Sequence, residues 1–447
     1  MTRSLLSPPR PRHRPGPHWR GWMMIWMTVL AAPALQAQPG REPAATSASV
    51  PAPEFDMGQL EAMVLQHNPG LQAATRTLQG ANAAVITAAA LPNPRLEWSR
   101  GPWQSVDPSL TGQRGQTWSL VQPIENPVLR GARIDAAEAG RRSSEQQLSM
   151  VRNDLIAQLR LRIHESMLHQ AEAEAATEAL GLLEQVRQRV RVRVESGEAA
   201  RYELIKADAE VVNARERQQN AALRAEQSLL EINRLAAGQL PARWRLKPGA
   251  GLEGQKALDL QALQQQARER NPELQSLRHE VERARQRLQA ARASVLPAVD
   301  LRYTDMRDPQ VRQSQWGVAV QLPLLDQRRG PVAEATAELE RSQVLYEGRQ
   351  AVLEQQVLLA WRALDMARLR VEALSQGVLR DAEAALRVAE AAYRFGERGI
   401  LDVLDAQRVL RTVRADLLQA RYQQQAARIT LEQLSGRYAV PPSSSAP

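Results

Sequence analysis

The chain contains the same pattern twice, and this duplication restricts its fold more than any other feature. The Asn-Pro pair at 68–69 and the Leu-Pro run at 91–94 return, in the same order, at 271–272 and 296–297. Stretches in which apolar and polar residues alternate, and then a long polar segment, follow in both copies. A unit of about two hundred residues is too long for a solenoid repeat. Each copy is therefore expected to form one half of a pseudo-symmetric protomer.

Proline distribution predicts where the long helices lie. The chain has 27 prolines, yet none falls between Pro127 and Pro241 or between Pro331 and Pro441. Since a proline inside a helix costs about 3 kcal/mol, both gaps should be largely helical. A glycine-containing turn, at Gly197 in the first gap and Gly396 in the second, interrupts each one. Each gap is thus predicted to be an antiparallel helical hairpin.

The spacing of apolar residues predicts how these helices pack. The first gap carries a narrow stripe of Leu159, Ile163 and Met167, whereas the second has a coiled-coil seam. The arms of each hairpin are unequal: residues 131–196 would span roughly 100 Å and residues 198–237 only roughly 60 Å. Another helix, at 59–90, is expected to extend the shorter arm end to end. The members of the predicted seam are Leu353, Val357, Ala360, Leu364, Ala367, Val371, Leu374 and Val378.

Strand candidates lie between the short and long helices of each copy, at about 94–100, 116–123, 298–304 and 314–323. Apolar and polar residues alternate along them, and the apolar set includes tryptophan and tyrosine. This alternation suits a wall between lipid and water. Because the smallest transmembrane barrels have about eight strands, four strands cannot close one alone. Assembly of several chains is therefore expected to complete it.

The amino-terminal region is typical of a secretory signal peptide, expected over residues 1–37. Arginines precede a short apolar run at 22–32, which is followed by small residues. Removal of its five arginines would lower the formal net charge from +9 to +4, and the remaining charges of both signs alternate along helices. Such mixed charge argues against nucleic-acid binding. The chain has no cysteine, which excludes disulfides and a lipid-bearing cysteine. Residues 38–57 should be a flexible lead-in.

Signals for an enzyme or a bound metal are weak. Gly249, Gly251 and Gly254 satisfy G-x-G-x-x-G, but no βαβ unit surrounds them, so they are assigned to an inter-repeat linker at 241–256. His164 and His169 are five residues apart, off the i, i+4 spacing of a helical metal pair, and are expected to face solvent. The sequence predicts no catalytic residue, no metal site, no cofactor and no enzyme activity.

The repeated Asn-Pro and Leu-Pro pattern, the strand pairs and the stretch YRFGERGILDVLDAQ at 393–407 together resemble the TolC-like outer-membrane efflux channel family. The resemblance covers nearly the whole mature chain. It implies a mainly helical protein with a small β part, in which three chains form a twelve-stranded β-barrel continued by a periplasmic α-helical barrel. It also implies structural repeats at 58–240 and 257–438, with tips near 197 and 396, and a flexible tail at 439–447.

Length, the LPNP run and the missing lipid-bearing cysteine resemble the heavy-metal branch of this family, the cobalt, zinc and cadmium exporters. The implied function is passive conduction in a tripartite efflux system across the outer membrane. The implied partners are two further copies of the chain, a periplasmic adaptor, an RND-type inner-membrane pump and outer-membrane lipid. Efflux of drugs or other organic compounds is the alternative within the family. A soluble periplasmic coiled-coil adaptor or scaffold is the alternative of another class.

The resemblance also assigns roles to residues near the hairpin tips. Asp402 and Asp405 match gate-ring aspartates and, three apart on a helix, share a face. Tyr393 and Arg398 match a gate interlock, in which Glu203 takes the place of the acidic partner. Two tip glycines are assigned to adaptor contacts, Gly197 and Gly396. The simpler alternative is that the acids are solvated residues at a helix start and that the glycines only permit positive φ.

Overall fold

The computed structural model describes residues 53–102, 114–247, 259–308 and 310–439. The signal-peptide prediction, most of the lead-in, the glycines of the predicted linker and nearly all of the tail lie outside these ranges. Within them, long helices dominate, and the two repeats follow one another with the same element order.

The first repeat consists of two short helices, a strand pair and a long hairpin. Its elements are β1 (Glu54–Phe55), α1 (Met57–His67), α2 (Pro69–Ala89), β2 (Arg95–Pro102), β3 (Arg114–Ile124), α3 (Pro127–Glu195), α4 (Arg201–Leu235) and β4 (Arg245–Leu246). The two-residue strands β1 and β4 pair in parallel. The end of the predicted lead-in and the start of the predicted linker therefore hold each other in place.

The second repeat has the same order, but a single π-helical turn interrupts its long arm. Its elements are α5 (Leu260–Arg270), α6 (Pro272–Ala293), β5 (Ala298–Arg307), β6 (Arg312–Gln321), α7 (Arg329–Ala373), the π-helical turn (Leu374–Val378), α8 (Leu379–Arg394) and α9 (Ile400–Leu434). The predicted helical hairpins and four strands are therefore present.

Three Asn-Pro pairs fix where helices begin. Asn68, Asn126 and Asn271 are the N-cap residues of α2, α3 and α6, and each side-chain oxygen accepts a hydrogen bond from a backbone N–H of the first turn. The following proline occupies the first turn, where its missing N–H costs nothing. The repeated pair detected in the sequence is thus a repeated helix start.

Helix packing buries the predicted stripes, with one exception. Leu159 and Ile163 are fully buried in the largest core cluster, which also contains residues of α1 and α4. In the second repeat the seam is buried at Leu353 and Val357, but its last predicted member, Val378, is 45% exposed. The π-helical turn adds one residue to the helical period. Leu379 therefore packs inward, against the cluster of Ala382, Leu410 and Val413.

The four longer strands form one antiparallel sheet in the order β2-β3-β5-β6. Strands β3 and β5, from different repeats, pair directly, and Ser119 lies opposite Thr304. The sheet adjoins the helices directly, since β3 ends three residues before α3 begins. None of the helices in the described ranges combines the length and apolar character that crossing a bilayer requires.

Candidate functional site

Two regions are candidates for a functional site: the hairpin tips and the sheet. At both tips a glycine closes the helix. Gly197 has φ +80° and Gly396 has φ +76°, a backbone region that residues other than glycine rarely adopt. At the first tip the N–H of Glu198 donates to the carbonyl of Arg193 at 2.8 Å, and the N–H of Gly197 donates to that of Val194 at 3.2 Å. This pair of bonds is a Schellman motif.

The second tip has the same bonds: Glu397 N–H donates to the carbonyl of Ala392 at 2.9 Å, and Gly396 N–H donates to that of Tyr393 at 3.1 Å. A Cβ added at Gly197 or Gly396 would meet no atom within 4 Å. Positive φ alone therefore accounts for both glycines, and the space around them is open to a docking partner.

The two tips of one chain pack against each other through a small apolar cluster. Val190, Ile400 and Val403 are buried there, and Tyr393 and Leu204 lie against them. The cluster joins α3 and α4 of the first hairpin to α8 and α9 of the second. Beside it lies a cleft of ≈ 830 Å³, and the exposed Phe395 forms part of its lining. A movement of one tip must therefore be transmitted to the other or break this contact.

Tyr393 faces an arginine that the sequence interpretation missed. The guanidinium of Arg193 lies over the Tyr393 ring, 4.9 Å from its centroid, in a cation–π contact. The Tyr393 hydroxyl is buried and has no hydrogen-bond partner among the described residues. Arg193 lies four residues before Gly197, so the only sequence signal for it was its proximity to the turn.

Among the described residues, the predicted interlock residues form no hydrogen bond or ion pair with one another. Arg398 lies beside Asp402, with Nη1 3.7 Å from Oδ2, one helical turn along the chain. Glu203 is partly buried in the first turn of α4 and forms no ion pair within the described ranges. The role of Glu203 as the partner of Arg398 remains a prediction.

Each of the two predicted gate aspartates has a guanidinium beside it. Asp402 lies in the first turn of α9 next to Arg398, and Asp405 pairs with Arg408. All four side chains are about half exposed or more. In each pair the arginine offsets the charge of the aspartate. A ring built from these residues would therefore contain carboxylates and neighbouring guanidiniums in equal number.

Two histidines in the middle of α3 differ from expectation. His164 and His169 are partly buried, so the expectation that they face solvent is wrong. Burial, and then the nearby Arg160 guanidinium, lower the pKa of His164. His169 Nδ1 lies 3.1 Å from a Glu172 carboxylate oxygen. Among the described residues no group of three or more His, Asp or Glu side chains is placed to hold a metal ion.

The sheet has one apolar and one polar face. Residues opposite each other in neighbouring strands share a face, and strand residues alternate between faces. Trp98 lies opposite Trp118, and Tyr303 opposite Trp316, with ring centroids 6.0 and 4.8 Å apart. The apolar face consists mainly of Leu96, Trp98, Trp118, Leu120, Ile124, Val299, Leu301, Tyr303, Trp316, Val318 and Val320.

Most of this apolar face is uncovered. Trp316 is 72% exposed and Val318 is 66% exposed. The opposite face is mainly polar: Ser119 Oγ lies 3.5 Å from Thr304 Oγ1, and glutamines line β6. At about 1.5–3 kcal/mol for each large apolar side chain, covering the apolar face would contribute on the order of 10–20 kcal/mol. The isolated sheet is therefore suited to an apolar medium on one side and water on the other.

Comparison with known proteins finds similarity to outer-membrane efflux proteins. The family model described as outer membrane efflux protein matches residues 60–238 and 263–437. The cobalt-zinc-cadmium resistance protein CzcC of Cupriavidus metallidurans is 27% identical over 378 residues, which is 83% of this chain and 87% of that protein.

Solved structures show the same fold at lower sequence identity. A membrane protein from Pseudomonas aeruginosa superimposes with a TM-score of 0.74 at 19% identity, covering 86% of this chain and 91% of its own. CusC gives 0.74 at 20% identity, covering 86% and 92%. The outer membrane protein VceC from Vibrio cholerae gives 0.72 at 19% identity, covering 85% and 96%.

Proposed function

This chain belongs to the outer membrane efflux protein family, and on that premise we propose that it is the outer-membrane channel of a heavy-metal efflux system. The family is one of channels rather than enzymes. The likeness to a cobalt-zinc-cadmium resistance protein supports metal cations as the cargo. On this proposal the chain conducts what an inner-membrane RND-type pump exports, and a periplasmic adaptor connects the two.

The uncovered apolar face of the sheet is the observation that carries the channel proposal. In the described ranges β2 and β6 each have a neighbour on one side only, so both edges of the sheet are open. Open edges carry unpaired N–H and C=O groups, which a hydrocarbon environment does not tolerate. Three copies, each pairing its β6 with the β2 of the next, would close a ring of twelve strands. The apolar face would then contact lipid and the polar face water.

The helices would continue this ring into the periplasm. Helix α3 has 69 residues, which corresponds to roughly 100 Å at 1.5 Å per residue. A soluble scaffold with the same helices would have no use for an uncovered face of tryptophan and leucine. The glycine turns at the far end, Gly197 and Gly396, are proposed to receive the adaptor.

Fractionation and conductance together test the proposal. The full chain should be recovered from the outer membrane only with detergent, as a trimer, and should form ion-conducting pores in planar bilayers. A deletion strain should become more sensitive to divalent heavy metals, and the cloned gene should restore resistance. Recovery as a soluble monomer would overturn the channel, whereas sensitivity to organic compounds alone would overturn only the metal cargo.

A further inference from the structure

An arginine band crosses the apolar face of the sheet at the end remote from the helices. Strand pairing places Arg100 opposite Gln116, Gln116 opposite Arg307, and Arg307 opposite Arg312. Arg114 lies two residues before Gln116 on β3 and therefore on the same face. Four guanidiniums thus share the face that carries the tryptophans, in a position where an alternating strand would be expected to place apolar residues.

Among the described residues, one carboxylate forms ion pairs with this band. Asp305 lies in the adjoining row, with Oδ1 2.8 Å from Arg307 Nε and Oδ2 3.8 Å from Arg312 Nε, and it also accepts a hydrogen bond from Ser314 at 3.0 Å. Arg100 and Arg114 are exposed and have no ion-pair partner within the described ranges. The band therefore carries an excess of positive charge.

The order of rows along this face matches the layers of a lipid leaflet. Aliphatic residues such as Val299, Leu301 and Val318 lie nearest the helices, and the aromatic pairs Trp98–Trp118 and Tyr303–Trp316 come next. The arginine band follows. Hydrocarbon, an aromatic interface and anionic headgroups succeed one another in the same order at a membrane surface.

We propose that Arg100, Arg114, Arg307 and Arg312 form a binding site for the phosphate groups of an anionic lipid in the outer leaflet. This inference rests on the proposed channel, which turns this face toward lipid. Guanidinium forks match phosphate oxygens bidentately, and strands about 4.8 Å apart let neighbouring arginines reach one headgroup. Acyl chains of the same lipid would lie along the aliphatic rows.

The test compares lipid retention by the detergent-purified protein, measured by native mass spectrometry. The probes are phosphatidylglycerol, an uncharged galactolipid without phosphate, and inorganic phosphate as competitor. The variant is Arg100→Gln with Arg114→Gln. The matched control is Arg95→Gln with Arg302→Gln, which removes two exposed arginines from the polar face of the same sheet.

We expect phosphatidylglycerol affinity to fall roughly ten- to thirtyfold in the Arg100/Arg114 variant, since one basic residue at an anionic surface changes affinity about fivefold. The control should keep parental affinity, and neither change should affect the galactolipid. Equal loss in both double variants, or none in either, would overturn the site. Displacement of the lipid by an equimolar amount of inorganic phosphate would overturn the lipid as its ligand. Conductance of all variants shows separately whether the channel proposal holds.

Discussion

The side-chain amide of Asn68 donates a hydrogen bond to the carbonyl oxygen of Leu235, the last residue of α4, at 3.1 Å. The same side chain accepts from the N–H of Gly70 and so caps α2. One residue therefore joins the end of one helix to the start of another. Its counterpart in the second repeat, Asn271, donates to Leu434 at 3.0 Å. Through these bonds two short helices act as one arm beside each long helix.

Replacing this asparagine should destabilise the junction in two separable steps. Asn68→Asp keeps an oxygen to cap α2 but loses the bond to Leu235, whereas Asn68→Ala loses both. We expect a cost of about 1 kcal/mol for the bond and about 1 kcal/mol more for the cap. The thermal midpoint of the detergent-purified protein should fall in the order parent, Asp, Ala. Equal midpoints for Asp and Ala would mean that the cap contributes nothing.

Gly436 should tolerate alanine much less than Gly396, although both have positive φ. Their φ values are +73° and +76°. A Cβ at Gly436 would lie 2.4 Å from the carbonyl oxygen of Arg270, whereas a Cβ at Gly396 would have open space. Gly396→Ala should therefore cost about 1–2 kcal/mol of backbone strain, and Gly436→Ala distinctly more, because backbone must also move. Thermal midpoints measure the difference, and similar shifts would contradict the close contact.

Replacing Tyr393 with Phe and Arg398 with Ser in one double variant should loosen the closed tip. In the present conformation the Tyr393 hydroxyl is buried without a partner among the described residues, so removing it costs this conformation no hydrogen bond. Replacing Arg398 removes only an exposed ion pair with Asp402, which contributes little to the stability of this conformation. A closed state in which neighbouring chains supply partners for both side chains would lose those bonds, and the equilibrium would shift toward the open tip.

Single-channel conductance should therefore rise in this double variant. Arg193→Gln serves as a comparison, because it leaves the hydroxyl in place while it removes the cation–π contact with the Tyr393 ring, together with the exposed ion pair between Arg193 and Glu198. An unchanged, low conductance in the double variant would contradict the interlock.

The aspartates of α9 should control divalent-cation block from the periplasmic side. Asp402→Ala with Asp405→Ala should weaken the block, because a ring of carboxylates attracts cations. Arg408→Gln should strengthen it, since Asp405 loses the guanidinium that compensates its charge. Asp416→Asn, farther along the same helix, is the matched control and should be blocked like the parent. Equal block in all four proteins would remove the carboxylates from the gate.

Two partly buried imidazoles should make the protein less stable in mild acid. Burial, followed by a nearby arginine, lowers the pKa of both His164 and His279 in the folded protein. The unfolded chain therefore binds more protons as the pH falls through its ordinary histidine pKa of about 6.5. The free energy of unfolding should accordingly be greatest above that pH and decrease as the pH falls through it.

Thermal midpoints between about pH 7.5 and 5.5, on either side of that ordinary histidine pKa, measure this dependence. The double variant His164→Gln with His279→Gln should have a shallower pH dependence than the parent. His169→Gln, which removes a third imidazole from the helices, should keep most of the parental dependence because His164 and His279 remain. An identical slope in the double variant and the parent would contradict the assignment.

Local patterns were sufficient for the elements but not for their contacts. Missing prolines predicted both hairpins, and alternation predicted the strands, because helix and strand periods depend on neighbouring residues. The prediction of the seam was correct as far as Leu374 and failed at Val378, because a π-helical turn changes the helical period there. The spacing of apolar residues in the sequence gives no sign of that turn. Arg193 was missed for a related reason: its partner, Tyr393, is about two hundred residues away in the chain, beyond the reach of any helix or strand period.

The sequence by itself determined a duplicated chain of long helical hairpins and two pairs of amphipathic strands. Only the tertiary structure decided that Leu120 of one repeat lies opposite Tyr303 of the other, so that both strand pairs share one apolar face. It also decided that Arg100 and Arg307 fall in one row at the end of that face. The physical reason is that register between distant strands is set by pairing across the sheet, and a slip of one residue would turn every side chain to the opposite face.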